Sequence, residues 1–195
     1  MDEKLSTRVY EAVRKEILEG VYSARDFISE AQIAKKFGVS KAPVKEALHT
    51  LADQGYLVSY PRRGYMVNVF SDEEIDKIQE IRKVLEALCV RNAMKYASKA
   101  EIESLRNELP ETGSAVDPRE TVNYRFHIGL AKLSGNEYLV ETLDPLVMKA
   151  SLSGIKRDAD VKGFLQILDA MLDGDEALAL QLLDQDIRYL RRRND

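Results

Sequence analysis

The stretch Phe37-Gly38-Val39-Ser40-Lys41-Ala42-Pro43-Val44-Lys45-Glu46-Ala47-Leu48 reads as a turn followed by a helix with one basic and one apolar side. Gly38 permits the left-handed backbone that a tight helix–helix turn needs. Ser40 suits the N-cap, and Pro43 fits only the first turn of a helix, where its missing N–H costs nothing. A helix is therefore expected over residues 41–54, with Gly55 ending it. Lys41, Lys45 and His49 recur every four residues and share a face, while Val44, Leu48 and Leu51 turn inward. A basic face on a helix just after a glycine turn is how a helix-turn-helix presents its second helix to the major groove of DNA.

The neighbours of this stretch fit the same reading. Val9, Val13, Ile17 and Leu18 recur at helical spacing before Gly20. Ser29 and Gln32 form a capping-box pattern for a short helix running to Phe37. After Gly55 come two β-prone runs, Tyr56-Leu57-Val58-Ser59-Tyr60 and Tyr65-Met66-Val67-Asn68-Val69, around Pro61-Arg62-Arg63-Gly64. That pattern predicts a hairpin. A hairpin directly after a helix-turn-helix makes a winged helix over residues 1–70, with Arg62 and Arg63 at the tip of the wing, set against phosphates or in the minor groove.

A boundary is placed at Phe70–Ser71. The remainder, residues 71–195, reads as helical throughout. Ser71 with Glu74 and Ser98 with Glu101 are capping boxes. Ile75, Ile78, Ile81, Val84, Leu85, Leu88 and Cys89 form an apolar stripe on the first long helix. A loop is expected over 109–116, then a helix starting at Asp117-Pro118 that carries Val122, Phe126, Leu130 and Leu133. Asn136 caps the next helix, which turns Leu139, Leu143, Leu146 and Val147 inward, contains Pro145 and stops at Ser153-Gly154. Two more helices are expected, over 161–172 and 176–192, with Arg191-Arg192-Arg193 as a solvated end. The fold class is mainly α: a winged helix-turn-helix followed by an antiparallel helical bundle.

Composition narrows the function. Forty-five per cent hydrophobic residues among 195 fill a real core and exclude a disordered chain. No apolar run is long enough to span a membrane, and the N-terminus lacks signal-peptide character. The single cysteine excludes an internal disulfide framework and suits a reducing cytoplasm. The net charge of −4 divides unevenly: residues 1–70 hold 11 Lys and Arg against 9 Asp and Glu, net +2, and residues 71–195 hold 18 against 24, net −6. A basic front and an acidic back suit a DNA-binding segment joined to a segment that does not touch DNA. One cysteine, two histidines and no glycine-rich phosphate loop offer no catalytic set, so the chain is not read as an enzyme.

The order of elements resembles the GntR family of bacterial transcriptional regulators. The matching residues are Tyr10, Ile17-Leu18-Glu19-Gly20, Glu30, Ile33-Ala34, Phe37-Gly38-Val39-Ser40, Pro43-Val44-Lys45-Glu46-Ala47-Leu48, Leu51, Gly55 and Arg62-Arg63-Gly64. The second half is similar to the all-helical FCD effector domain, through Glu80-Ile81-Arg82, Leu85-Glu86, Phe126-His127, Ser134-Gly135-Asn136, Ile167-Leu168-Asp169-Ala170 and Gly174-Asp175. The resemblance implies a homodimer on palindromic double-stranded operator DNA, repressing until a small organic acid fills the effector domain. It puts Ser40, Lys41, Ala42, Pro43 and Lys45 at the major groove and Arg63 and Gly64 in the minor groove. His49, one turn beyond Lys45, meets either a phosphate or solvent. The family often has arginine where this chain has Lys41, Lys45 and Ala31, and lysine lacks arginine's bidentate fork to guanine.

For the effector domain the resemblance points to Arg82, Glu86, Asn123, His127 and Asp186. Arg82 and Glu86, four apart, either pair with each other or leave Arg82 to receive a small carboxylate effector. Many FCD domains hold a divalent metal with an Asp and three His. Here those positions fall on Asn123, His127, Phe164 and Asp186, so no metal cofactor is expected; if one binds, His127 and Asp186 are its ligands. The competing reading is a helical small-molecule-binding or enzymatic protein whose winged helix contacts protein.

Overall fold

Helical spacing and local caps account for most of the architecture. The computed structural model describes residues 4–23, 26–109, 118–152 and 161–189 and divides into two compact units, Met1–Val69 and Phe70–Asp195. The loop expected over 109–116, apart from Leu109, the stop at Ser153-Gly154 and the arginines at 191–193 lie outside the described residues. Among the described residues no helix is long and apolar enough to cross a membrane.

In the first unit, α1 (Leu5–Leu18) buries Val9, Val13 and Ile17 and packs on α3 (Lys41–Asp53). Between them, α2 (Glu30–Phe37) starts at a complete capping box. Ser29 Oγ accepts from the Gln32 N–H at 3.2 Å, and the Gln32 side chain accepts from the Ser29 N–H at 3.0 Å. Gly38 caps α2 in the left-handed region at φ 65°. The turn thereby aims α3, which buries Val44, Ala47, Leu48 and Leu51.

The wing is a two-stranded antiparallel hairpin, β1 (Leu57–Tyr60) and β2 (Gly64–Val67), in register from Leu57↔Val67 to Tyr60↔Gly64. Ile28 adds a bridge to Tyr65, each N–H donating to the other's carbonyl at 2.7 and 2.9 Å. This bridge ties the connector before α2 to the wing. It brings the Ile28 carbonyl so close that a Cβ on Gly64 would lie 2.5 Å from it, and Gly64 has φ +109°. Gly64→Ala is expected to destabilise the protein by about 1–3 kcal/mol, read by chemical denaturation, with the wing displaced from the connector.

The second unit is a helical bundle: α4 (Asp72–Tyr96), α5 (Lys99–Glu108), a single 3-10 turn Pro118–Glu120, α6 (Val122–Leu133), α7 (Glu137–Leu152), α8 (Val161–Asp173) and α9 (Glu176–Tyr189). Capping boxes at Ser71/Glu74 and Ser98/Glu101 open α4 and α5. α6 starts later than the sequence suggests: the Asp117-Pro118 signal leads into the 3-10 turn, and Thr121 Oγ1 caps α6 by accepting from the Tyr124 N–H at 3.2 Å. In α7, Leu139, Leu143 and Val147 are buried, but Met148 takes the full burial expected of Leu146. α4 packs against α6, α7 and α9, with Phe126, Leu130, Leu143, Phe164 and Leu168 in the core. Cys89 is buried there too.

The apolar stripe expected on α4 is only partly inside. Ile75, Ile78 and Cys89 are buried, whereas Ile81, Val84 and Leu88 are 49%, 70% and 41% exposed. The face packed into the bundle holds Gln79, Arg82 and Glu86 instead. α4 carries apolar residues on two faces, and the bundle takes the face whose polar groups can pair with each other and with α6.

Candidate functional site

Two places gather the residues singled out by sequence. The first is the solvent side of α3 and the wing. Ser40, Lys41, Ala42, Lys45 and His49 are exposed and Pro43 is half-buried. Ser40 occupies the N-cap position but its side chain makes no capping hydrogen bond. The expected cap is therefore not formed, and the hydroxyl is unspent at the positive end of a helix, where anions are favoured. Among the described residues neither Lys41 nor Lys45 has an ion-pair partner. His49 does: its Nδ1 lies 2.8 Å from Asp53 Oδ2, so a phosphate would compete with that carboxylate. Arg62, at the wing tip, is exposed with φ 65°. Arg63 is exposed but stands 4.3 Å over the Phe27 ring, which meets Tyr60 edge-on at 5.6 Å. A guanidinium held on an aromatic face loses less freedom when it meets a partner. Gly64 is half-buried, and its close approach to Ile28 gives it a role inside the wing.

The second place is inside the helical unit. Arg82 and Glu86 from α4 are both fully buried, and Arg82 Nε donates to Glu86 Oε1 at 2.7 Å. Arg82 Nη1 donates to Gln79 Oε1 at 3.2 Å. The other Glu86 oxygen, Oε2, lies 2.5 Å from His127 Nδ1 on α6. Of the two alternatives left open by spacing, the structure forms the Arg82–Glu86 pair. With both its oxygens engaged, Glu86 bridges Arg82 to His127. His127 Nε2 faces Asp186 Oδ2 on α9 at 3.4 Å, an ion-pair distance longer than a well-formed hydrogen bond. Burial alone would raise the Glu86 carboxyl, but the Arg82 guanidinium and the His127 ring outweigh it and hold it below its ordinary value. Burial likewise opposes a charged His127, yet Glu86 and Asp186 prevail and raise the imidazole above 6.5.

Polar capacity is left over in this chain of contacts. Arg82 Nη2, Gln79 Nε2, His127 Nε2 and Asn123 Oδ1 are buried with no hydrogen-bond partner among the described residues. Buried polar groups are almost always satisfied, so these atoms are open to a bound molecule or water. Asn123 lies one turn before His127 on α6. Gln79 was missed by sequence reasoning, although its spacing of three and seven residues before Arg82 and Glu86 put all three on one helical face.

The residues fit a divalent metal poorly. Phe164 supplies no ligand atom; it stacks on Phe126 at 4.4 Å and meets the His127 ring edge-on at 5.7 Å. Asn123 offers only a neutral amide oxygen. Among the described residues no cluster of three or more His, Cys, Asp or Glu is arranged to hold a metal ion.

Comparison with known proteins finds matches in two parts of the chain. A family model described as bacterial regulatory proteins, gntR family, matches residues 5–67, and a model described as FCD domain matches residues 77–189. The HTH-type transcriptional regulator YdhC of Bacillus subtilis (strain 168) is 32% identical over 141 residues, covering 69% of this chain and 63% of that protein. The chain thus spans less than two thirds of that relative's length. The HTH-type transcriptional repressor RspR of Escherichia coli (strain K12) is 23% identical over 157 residues, covering 78% of this chain and 68% of that protein. Among solved structures, a transcriptional regulator GntR from Rhodococcus sp. RHA1 superposes with a TM-score of 0.69 at 21% identity, covering 95% of both chains.

Proposed function

Because the chain belongs to the GntR family of regulatory proteins and carries an FCD domain, we propose that it represses transcription as a homodimer on a palindromic operator and is released by a small organic acid. Members of this family are DNA-binding transcription regulators rather than enzymes, and the setting proposed for this one is the cytoplasm. The observation that carries the reading is the basic face of α3, where Lys41 and Lys45 are exposed, without an ion-pair partner among the described residues, beside the unspent Ser40 hydroxyl, and the arginine-bearing wing following it. Phosphates are the natural partners of such a face. The repressor sign is supported by relatives such as RspR. The proposed contacts are Ser40, Lys41, Ala42, Pro43, Lys45 and His49 in and beside the major groove, and Arg62, Arg63 and Gly64 at the minor groove.

The organic acid is supported by the donors left over at Arg82 Nη2 and Gln79 Nε2, which suit a carboxylate oxygen. Effector control is then a coupling free energy: an acid that binds one arrangement of the dimer better shifts the population and changes operator affinity. The test is fluorescence anisotropy with the DNA upstream of the chain's own gene, titrated at several salt concentrations and then with a panel of small carboxylates. Salt-independent binding refutes the DNA reading, and affinity that no carboxylate changes refutes the organic acid.

The dimer is supported by the exposed face of α4. Ile81, Val84 and Leu88, spaced by three and four residues, form a seam suited to the same seam on a second copy, and a palindromic operator requires two-fold symmetry. Val84→Glu is expected to shift the protein from dimer to monomer in sedimentation velocity, with little loss of monomer stability because the side chain is 70% exposed. An unchanged dimer would place the interface elsewhere.

A further inference from the structure

We infer that the interior site works without a metal ion: His127, held between two carboxylates, fills the place of a metal-bound histidine, and a ligand oxygen meets Arg82 and Gln79 directly. The ligand part rests on the organic-acid reading above; the metal part stands on the donor set alone. Glu86 at Nδ1 orients the ring as a carboxylate would behind a metal-bound histidine, but the group facing Nε2 is another carboxylate, Asp186, at 3.4 Å. The two ring nitrogens point away from each other, so Glu86 and Asp186 cannot converge with the ring on one ion. The side on α8 is closed by the Phe164 ring, packed on Phe126 and His127. What remains for a metal is Nε2, one carboxylate and a neutral amide, short of the three good ligands that a tight zinc site takes from the protein.

Arg82 Nη2 and Gln79 Nε2 are adjacent donors on α4, Arg82 wholly buried and Gln79 7% exposed. They take an acceptor oxygen without an intervening ion.

Metal content of the full chain, purified without chelator, tests this together with its melting temperature in EDTA and with zinc, nickel or manganese chloride added alone. The expected result is no stoichiometric metal and no shift in melting temperature from EDTA or from any of the three ions. Stoichiometric metal, or a melting temperature that EDTA lowers and an ion restores, overturns the inference. A second arm uses sodium acetate and sodium lactate in EDTA. A rise in melting temperature that Gln79→Leu abolishes supports direct contact, and a rise that needs added metal overturns it. If neither acid shifts the wild type while the metal arm stays flat, the metal-free interior stands and contact with these two acids is what fails.

Discussion

Replacing Lys41 and Lys45 together by alanine is expected to weaken operator binding by about 10³-fold, at about 1 kcal/mol for each of the four lysine–phosphate contacts in a symmetric dimer. Affinity should also become less sensitive to salt, the slope of log K against log salt falling by about 3 to 4. The protein itself should keep its stability, because both residues are exposed and have no ion-pair partner among the described residues, and surface changes of this kind usually stay within about 0.5 kcal/mol. Anisotropy titrations at several salt concentrations, beside a denaturation curve, separate the two effects. The lysines should act uniformly across related operator sequences, since a point charge anchors phosphate better than it reads a guanine edge. If the double variant binds as tightly, with the same salt slope, α3 is not the DNA-facing helix. Arg63→Ala should add to the loss at least as much as Arg62→Ala, because stacking on Phe27 already orders the Arg63 guanidinium.

Much of the fold was legible because its signals are local. The capping boxes at Ser29, Ser71 and Ser98 and the left-handed turn at Gly38 each sit within four residues of sequence, and each forms. The faces of α4 were not legible. Periodicity marks apolar residues but not which of two apolar-bearing faces meets the bundle, and Gln79, Arg82 and Glu86 at spacings of three and four look the same inside as on a surface. Their burial depends on His127, 41 residues after Glu86. The wing shows the same limit. The Pro-Arg-Arg-Gly turn is evident, but the stacking of Arg63 on Phe27 and the approach of Gly64 to Ile28 join residues some 36 apart. Ser40 and His49 mark a smaller one: residue type suggests a cap for the first and leaves the second between phosphate and solvent, and only geometry shows that the cap is not made and that Asp53 already pairs with the imidazole.

Glu86→Ala is expected to cost about 3–5 kcal/mol of stability, the range for breaking a buried ion pair from one side. The change leaves the fully buried Arg82 with the Gln79 carbonyl as its one remaining acceptor among the described residues and takes from His127 its Nδ1 partner. Equilibrium urea unfolding of the full chain, followed by helical circular dichroism, should show the second unit melting first. Removing both charges should cost much less. In Arg82→Met with Glu86→Gln, the amide oxygen still accepts from the His127 N–H and no guanidinium is stranded, so a stability within a few kcal/mol of the parent is expected. The coupling between the two positions is read from the double-mutant cycle that the single variants Arg82→Met and Glu86→Gln complete. Single losses that simply add up in the double variant would mean that the charges of Arg82 and Glu86 do not act on each other.

Cys89 gives the second unit a built-in clock. It is the chain's only cysteine and is fully buried, and burial, with the Glu86 carboxylate nearby, pushes its thiol up to about 12. Thiolate, the form that reacts, is therefore scarce as well as shielded while the helices are closed. A thiol reagent should consume the protein only as fast as the bundle opens. The labelling rate then measures opening, without a tag or an engineered residue. A bound effector that stabilises the closed bundle should slow that clock in proportion to its occupancy, while operator DNA bound at the other unit should change it only as far as the two units are energetically coupled.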